Sequence, residues 1–134
     1  MHWKKRSQAS KLMTRSEQTD LMVAPRLHLQ MILGGQLDLE YLHSVAGVFN
    51  IAGALANYRH RRELEEAFDR AQLIMASLIQ EVRAPTGEEA QQVTDSFNAA
   101  DRLLRCQTKT DLAKVIAYVD RRIARGDVVK PKSH

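Results

Sequence analysis

The sequence predicts an all-α protein, a compact bundle of four to five helices with a buried central helix. Aromatic residues make up only 5% of the chain, so the core must be built from aliphatic side chains and alanine, which allow close helix packing. Apolar residues recur every three or four positions over long stretches, which is the spacing of a helix face. The 134 residues, 44% of them hydrophobic, suffice for one domain with its own core.

Basic residues are concentrated near the ends of the chain, which carries a net charge of +4. Residues 1–15 hold five of the 20 basic residues and no acidic one, and residues 127–134 hold two basic residues and one acidic residue. That leaves 13 basic against 15 acidic residues in 16–126. We expect a disordered basic N-terminal tail over 1–15, a helical domain over 16–126 and a C-terminal tail over 127–134. A slightly acidic folded domain is poorly suited to binding duplex DNA.

Cys106 is the only cysteine, which excludes an intramolecular disulfide and a thiol-based metal cluster. Residues 7–15 are polar and basic at the place where a secretory signal needs an apolar stretch. No run of apolar residues approaches the roughly 18 that a membrane span requires. These features predict a cytoplasmic protein without a membrane span.

The first helical element surrounds Pro25. Proline disfavours a helix at the residue before it and suits the first turn of a new helix. We therefore predict a helical turn near 17–23 and a separate helix from Pro25 to about Leu33. Apolar residues alternate on both sides of Gly34-Gly35, which leaves a β-hairpin as an alternative. Leu, Met, Gln and His are poor strand residues, and their presence favours helix–Gly-Gly–helix.

The central helix is predicted to begin after Asp38, a good N-cap residue, and to run to about Tyr58. Its residues are apolar on almost every side, which is typical of a helix surrounded by others. Four short neighbours offer little surface to cover so much apolar area, so we expect a homodimer that shares this helix. The residues expected at the interface between the two copies are Val48, Phe49, Ile51 and Leu55.

The next helix is predicted to reach Arg83 and to end at Ala84-Pro85. No glycine or proline separates it from the central helix. Residues 38–83 therefore form either two helices or one long bent helix, and Asn57 is the one plausible break.

Two local signals begin the last two helices. Thr86 and Glu89 have the spacing of a capping box, in which each side chain bonds the backbone amide of the other. Thr108 precedes the last helix in a similar way, and Gly126 ends it. Both helices carry an apolar stripe at helical spacing, which indicates one face directed to the core.

The sequence contains no pattern typical of a catalytic or metal site. Glu40 and His43 form a Glu-x-x-His pair, but helical di-iron proteins need this pair twice, and it occurs once here. The five histidines share no metal-ligand spacing with one another or with Cys106. Cys106 lies between Arg105 and Lys109, and we interpret it as an inert thiol near a helix end. We expect no catalytic residue, no metal, no cofactor and no enzymatic activity.

Arg59, Arg61 and Arg62 form the one dense basic patch inside the predicted fold. Such a patch suits a phosphate or an acidic surface on a partner. We predict that these three arginines bind a partner. The alternative is that these arginines form ion pairs with glutamates one helical turn later in the sequence. Those glutamates are Glu63, Glu65 and Glu66.

These observations favour a non-catalytic helical interaction protein that binds another macromolecule, with a protein as the expected partner. Inhibitors and adaptors of the plasmid and phage type, which act by contact on nucleic-acid machinery, have this kind of sequence. The alternative is a small nucleic-acid-binding transcriptional regulator. It would use the basic tail and the arginine patch as phosphate contacts.

Overall fold

The computed structural model describes the backbone of residues 15–126 and the side chains of 21–126. This part of the chain contains no strand and folds into five helices packed against each other, which confirms the all-α prediction. The helices are α1 (Arg15–Leu33), α2 (Leu39–Tyr58), α3 (Arg62–Glu81), α4 (Gly87–Arg105) and α5 (Lys109–Ala124). The predicted tails lie outside the described residues, except for Arg15, which begins α1.

Helix α1 is continuous through Pro25, so the predicted break before this proline is wrong. Proline removes one backbone hydrogen bond from a helix interior and crowds the preceding turn, at a cost of about 3 kcal/mol. Packing outweighs that local cost here. Met22, Leu29 and Ile32 are at most 4% exposed, and they place α1 against α2 on both sides of the proline.

The Gly34-Gly35 segment is a helix-terminating turn, which confirms the helix–Gly-Gly–helix prediction over the hairpin. The Gly34 and Gln36 amides donate to the carbonyls of Gln30 and Met31 at 3.0 and 2.9 Å. Gly35 has φ +90°, a conformation that glycine adopts without strain. The chain then enters α2 through Asp38, whose side chain accepts from the Glu40 amide at 2.9 Å.

Helix α2 is the buried centre of the bundle, as predicted. It packs against all four other helices, and ten of its residues are buried. Phe49 is fully buried, and its ring centroid lies 6.4 Å from those of Phe68 on α3 and Phe97 on α4. The small residues of α2 let its neighbours approach closely, so one chain covers this apolar helix.

Residues 38–83 form two helices, which settles the alternative between two helices and one. The break lies at Arg59–Arg61, just after Asn57, and His60 there has φ 57°. The Arg61 amide donates to the Ala56 carbonyl at 2.8 Å and so closes the end of α2. Helix α3 ends at Glu81, slightly before the predicted Arg83.

The last two helices begin as their capping residues predict. The Thr86 hydroxyl accepts from the Glu89 amide at 3.3 Å, and the Glu89 carboxylate accepts from the Thr86 amide at 2.9 Å. Thr108 accepts from the Asp111 amide at 3.1 Å. Gly126, with φ 78°, follows α5. Among the described helices, none combines the length and apolar character needed to cross a membrane.

Candidate functional site

Two helix junctions that are far apart in the sequence lie side by side at one end of the bundle. Arg59, which follows α2, donates from Nη2 to Gln107 Oε1 at 3.0 Å and to Asp111 Oδ2 at 2.9 Å. Gln107 lies between α4 and α5, and Asp111 is in the first turn of α5. The α2–α3 junction therefore meets the α4–α5 junction.

The Arg59 guanidinium is held in a fixed position. Gln107 is only 4% exposed, and it donates from Nε2 to the Leu103 carbonyl at 2.9 Å, which fixes its own orientation. The guanidinium also lies over the ring of Tyr58, 5.7 Å from the centroid. Both hydrogen bonds of Arg59 among the described residues use Nη2, so the Nη1 and Nε donors remain available to an incoming acceptor.

A groove of about 650 Å³ opens where the two junctions meet. Three arginine side chains surround an apolar floor, two from the α2–α3 junction and one from the last turn of α4. We call this cavity the arginine groove, and its lining residues are Arg59, Arg61, Leu64, Ala99, Arg102, Leu103, Cys106 and Gln107. Its composition suits a ligand that combines negative charge with some apolar surface.

The N-cap residue of α3 contributes a positive charge to the groove. Arg61 occupies the N-cap position of this helix, and its side chain makes no hydrogen bond to the first-turn amides. N-cap positions usually hold Ser, Thr, Asp or Asn, and positive charge is unfavourable at the positive end of a helix. Arg61 and Arg62 therefore disfavour this end of α3, whereas Glu63 and Glu65 in its first turn favour it.

The alternative for the arginine patch, local pairing with the glutamates that follow it, is not seen in the described residues. Their five ion pairs include none between Arg59, Arg61 or Arg62 and the glutamates that follow them. Arg59 pairs instead with Asp111 on α5. Arg61 and Arg62 are exposed, and of these two only Arg61 lines the groove.

Sequence reasoning missed the contribution of α4, because Arg102 lies 40 residues after the end of the patch. Arg102 and Arg105 belong to the last turn of α4, a favourable place for positive charge. Arg105 pairs with the buried Asp101 at 2.8 Å, and Arg26 of α1 reaches the same carboxylate at 2.7 Å. Although burial alone would raise the pKa of Asp101, these two arginines lower it. Arg105 is thus already neutralised, whereas Arg102 faces the groove.

The residues predicted at a dimer interface lie largely inside one chain. Phe49 and Leu55 are fully buried, Val48 is 5% exposed, and Ile51 is half-buried against the core. Covering these side chains requires no second copy, because α1, α3, α4 and α5 already surround α2. A homodimer stays a prediction, and it would need a different surface.

The remaining candidate residues are dispersed. Glu40 is exposed and His43 is half-buried near the start of α2, and in the described part of the chain no three His, Cys, Asp or Glu residues cluster as metal ligands do. Cys106 caps the end of α4 and is exposed in the arginine groove. Comparison of the chain with protein-family models, with curated proteins and with solved structures finds no match.

Proposed function

We propose that this chain is a non-catalytic interaction protein that binds an acidic surface of a partner protein through the arginine groove. One observation supports this most strongly: Asp111 and Gln107 hold the Arg59 guanidinium beside Arg61 and Arg102. Three positive side chains from two distant segments thus converge on one cavity.

The groove has the composition of a protein interaction centre. Arginine is enriched where binding energy concentrates, because its planar guanidinium bonds a carboxylate through two parallel hydrogen bonds. Fixing Arg59 in advance reduces the side-chain entropy lost on binding. Leu64, Ala99 and Leu103 supply apolar surface beneath the charges, where an aliphatic or aromatic side chain of the partner would pack.

The charge of the helical domain as a whole favours a protein partner over duplex DNA. Acidic residues outnumber basic ones in 16–126 by 15 to 13, so the positive potential is local, whereas a duplex presents phosphates along its whole length. A nucleic-acid-binding regulator is the second candidate. It is favoured by one observation, the convergence of Arg59, Arg61 and Arg102 on one groove, because arginine also binds phosphate through parallel hydrogen bonds.

Affinity purification with quantitative mass spectrometry tests the proposal. The full chain would be compared in its native host with a groove variant carrying Arg59→Ala, Arg61→Ala and Arg102→Ala. The matched control carries three changes outside the groove, Arg70→Ala, Lys114→Ala and Arg121→Ala. We expect a protein that is captured by the wild type and the control but not by the groove variant. Equal capture by all three would contradict the proposal.

A further inference from the structure

A second cavity, of about 950 Å³, lies between α3 and α5 over one side of α2. Both helices pack on α2, and Gly53 of α2, which has no side chain, lies on the floor between them. Gln72 Oε1, in the lining of this cleft, is buried without a hydrogen-bond partner among the described residues. The Gln72 amide nitrogen donates to Asn50 Oδ1 on α2, which ties α3 to the floor of the cleft.

The α3 wall of the cleft is acidic. Glu65 and Asp69 lie one turn apart on it, a spacing at which like charges repel. Burial, followed by the charge of Glu65, raises the pKa of Asp69, and Arg122 on the opposite wall lowers it. Asp69 and Arg122 thus influence each other across the cleft, but no ion pair joins them among the described residues.

The α5 wall is basic, with Arg122 lining it. Its guanidinium lies over the ring of Tyr118, 5.7 Å from the centroid. Each wall also exposes an apolar side chain: Tyr118 is 41% exposed, and Leu73 on the α3 wall is 72% exposed. Leu73 and Tyr118 thus offer apolar contact area on both sides of the cleft.

The opposite charges of the two walls make the cleft self-complementary. In a symmetric dimer the same surface meets itself through a two-fold axis, so each residue contacts a different residue of the other copy. We propose that a second copy of this chain docks at the cleft, with Asp69 and Leu73 of each copy against Arg122 and Tyr118 of the other. This surface and its occupant are separate from the arginine groove, and the dimer would present two grooves.

Charge reversal tests this arrangement in the full chain. Light scattering should give a wild-type mass of about twice 15.2 kDa, and Asp69→Arg and Arg122→Asp should each give the monomer mass. An equimolar mixture of the two variants should recover the dimer, because both contacts between the copies then join opposite charges. Within each variant, by contrast, both walls carry the same charge. Recovery of the dimer in the mixture would therefore show that these charges attract each other between copies and not only within one copy.

Control variants change the same helices outside the cleft. Arg70→Asp on α3 and Asp120→Arg on α5 reverse exposed charges and should keep the dimer mass. Leu73→Gln removes an exposed side chain without touching the core, and it should raise the dimer dissociation constant at least about ten-fold. A wild-type chain that stays monomeric, or dimers of unchanged affinity for Asp69→Arg, Arg122→Asp and Leu73→Gln alike, would overturn the proposal.

Discussion

Arg59 Nη2 lies 2.9 Å from Asp111 Oδ2, and this ion pair joins residues 52 positions apart in the sequence. It ties the end of α2 to the start of α5, and it fixes one guanidinium at the edge of the arginine groove. Both side chains are partly exposed, at 43% and 30%, and such pairs contribute little to stability. The main effect of the ion pair is therefore to fix the position of Arg59, and its effect on the free energy of unfolding is small.

Asp111→Asn tests this role of the ion pair. The substitution removes the charge that holds Arg59 and one negative charge from the first turn of α5. We expect a loss of about 1 kcal/mol or less in the free energy of unfolding, measured by urea denaturation. Affinity for the captured partner should fall more than stability does, because Arg59 loses its fixed position. Unchanged affinity would show that this fixed position does not matter for binding.

Arg61→Asp should separate stability from binding. Aspartate at the N-cap of α3 supplies the missing acceptor for the first-turn amides, and the free energy of unfolding should rise by about 1 kcal/mol. Partner binding should be lost, since the groove then carries a negative charge in place of a positive one. Arg61→Ala, which supplies no cap, is the control for charge removal alone. A stabilised Arg61→Asp variant that still binds the partner would show that Arg61 is not part of the binding site.

Phe49→Ala should destabilise the single chain severely. Phe49 is fully buried between Phe68 and Phe97, and truncating such a side chain costs about 3–5 kcal/mol. Leu27→Ala, at a position that is 51% exposed and lines neither cavity, should change the free energy of unfolding by less than about 0.5 kcal/mol. Thermal denaturation compares the two. A folded, monomeric Phe49→Glu variant would restore the interpretation of this residue as an interface contact.

The free energy of unfolding should fall at acidic pH, partly because Glu89 becomes protonated. The hydrogen bond from Arg83, followed by that from the Thr86 amide, lowers its pKa from 4.5 to about 2. A carboxylate with a lowered folded-state pKa stabilises the fold fully above its ordinary pKa, and this contribution is lost as the pH falls from about 4.5 towards 2. Glu89→Gln should cost stability at neutral pH and show a flatter stability profile through this window. Parallel profiles for the two proteins would contradict this role.

Local chemistry made much of the fold predictable. The capping residues Asp38, Thr86 and Thr108 act on amides two or three residues away, so their effect is readable from the sequence. The all-round apolar character of α2 likewise predicted its burial. Pro25 misled the prediction because its local cost is outweighed by the packing of α1 on α2, which depends on residues distant in the sequence.

The candidate site was only half predictable. Arg59 and Arg61 stand out as a cluster of charge, but Arg102 joins them through the meeting of two helix junctions, and nothing in the local sequence indicates which junctions meet. Val48, Phe49 and Leu55 were assigned to a dimer interface because an apolar helix needs cover. Apolar character alone does not indicate whether the cover comes from the same chain or from another.

The most direct test of the central claim is a titration of the captured partner and of duplex DNA with chains lacking residues 1–15. The wild type, the Arg59/Arg61/Arg102 alanine variant and the Arg70/Lys114/Arg121 alanine control would each be measured at two salt concentrations. We predict that the groove variant loses at least about 100-fold in affinity for the partner, that the control keeps it, and that weak DNA binding hardly changes. Tight, salt-sensitive DNA binding that the groove variant abolishes would contradict the account and favour the nucleic-acid regulator.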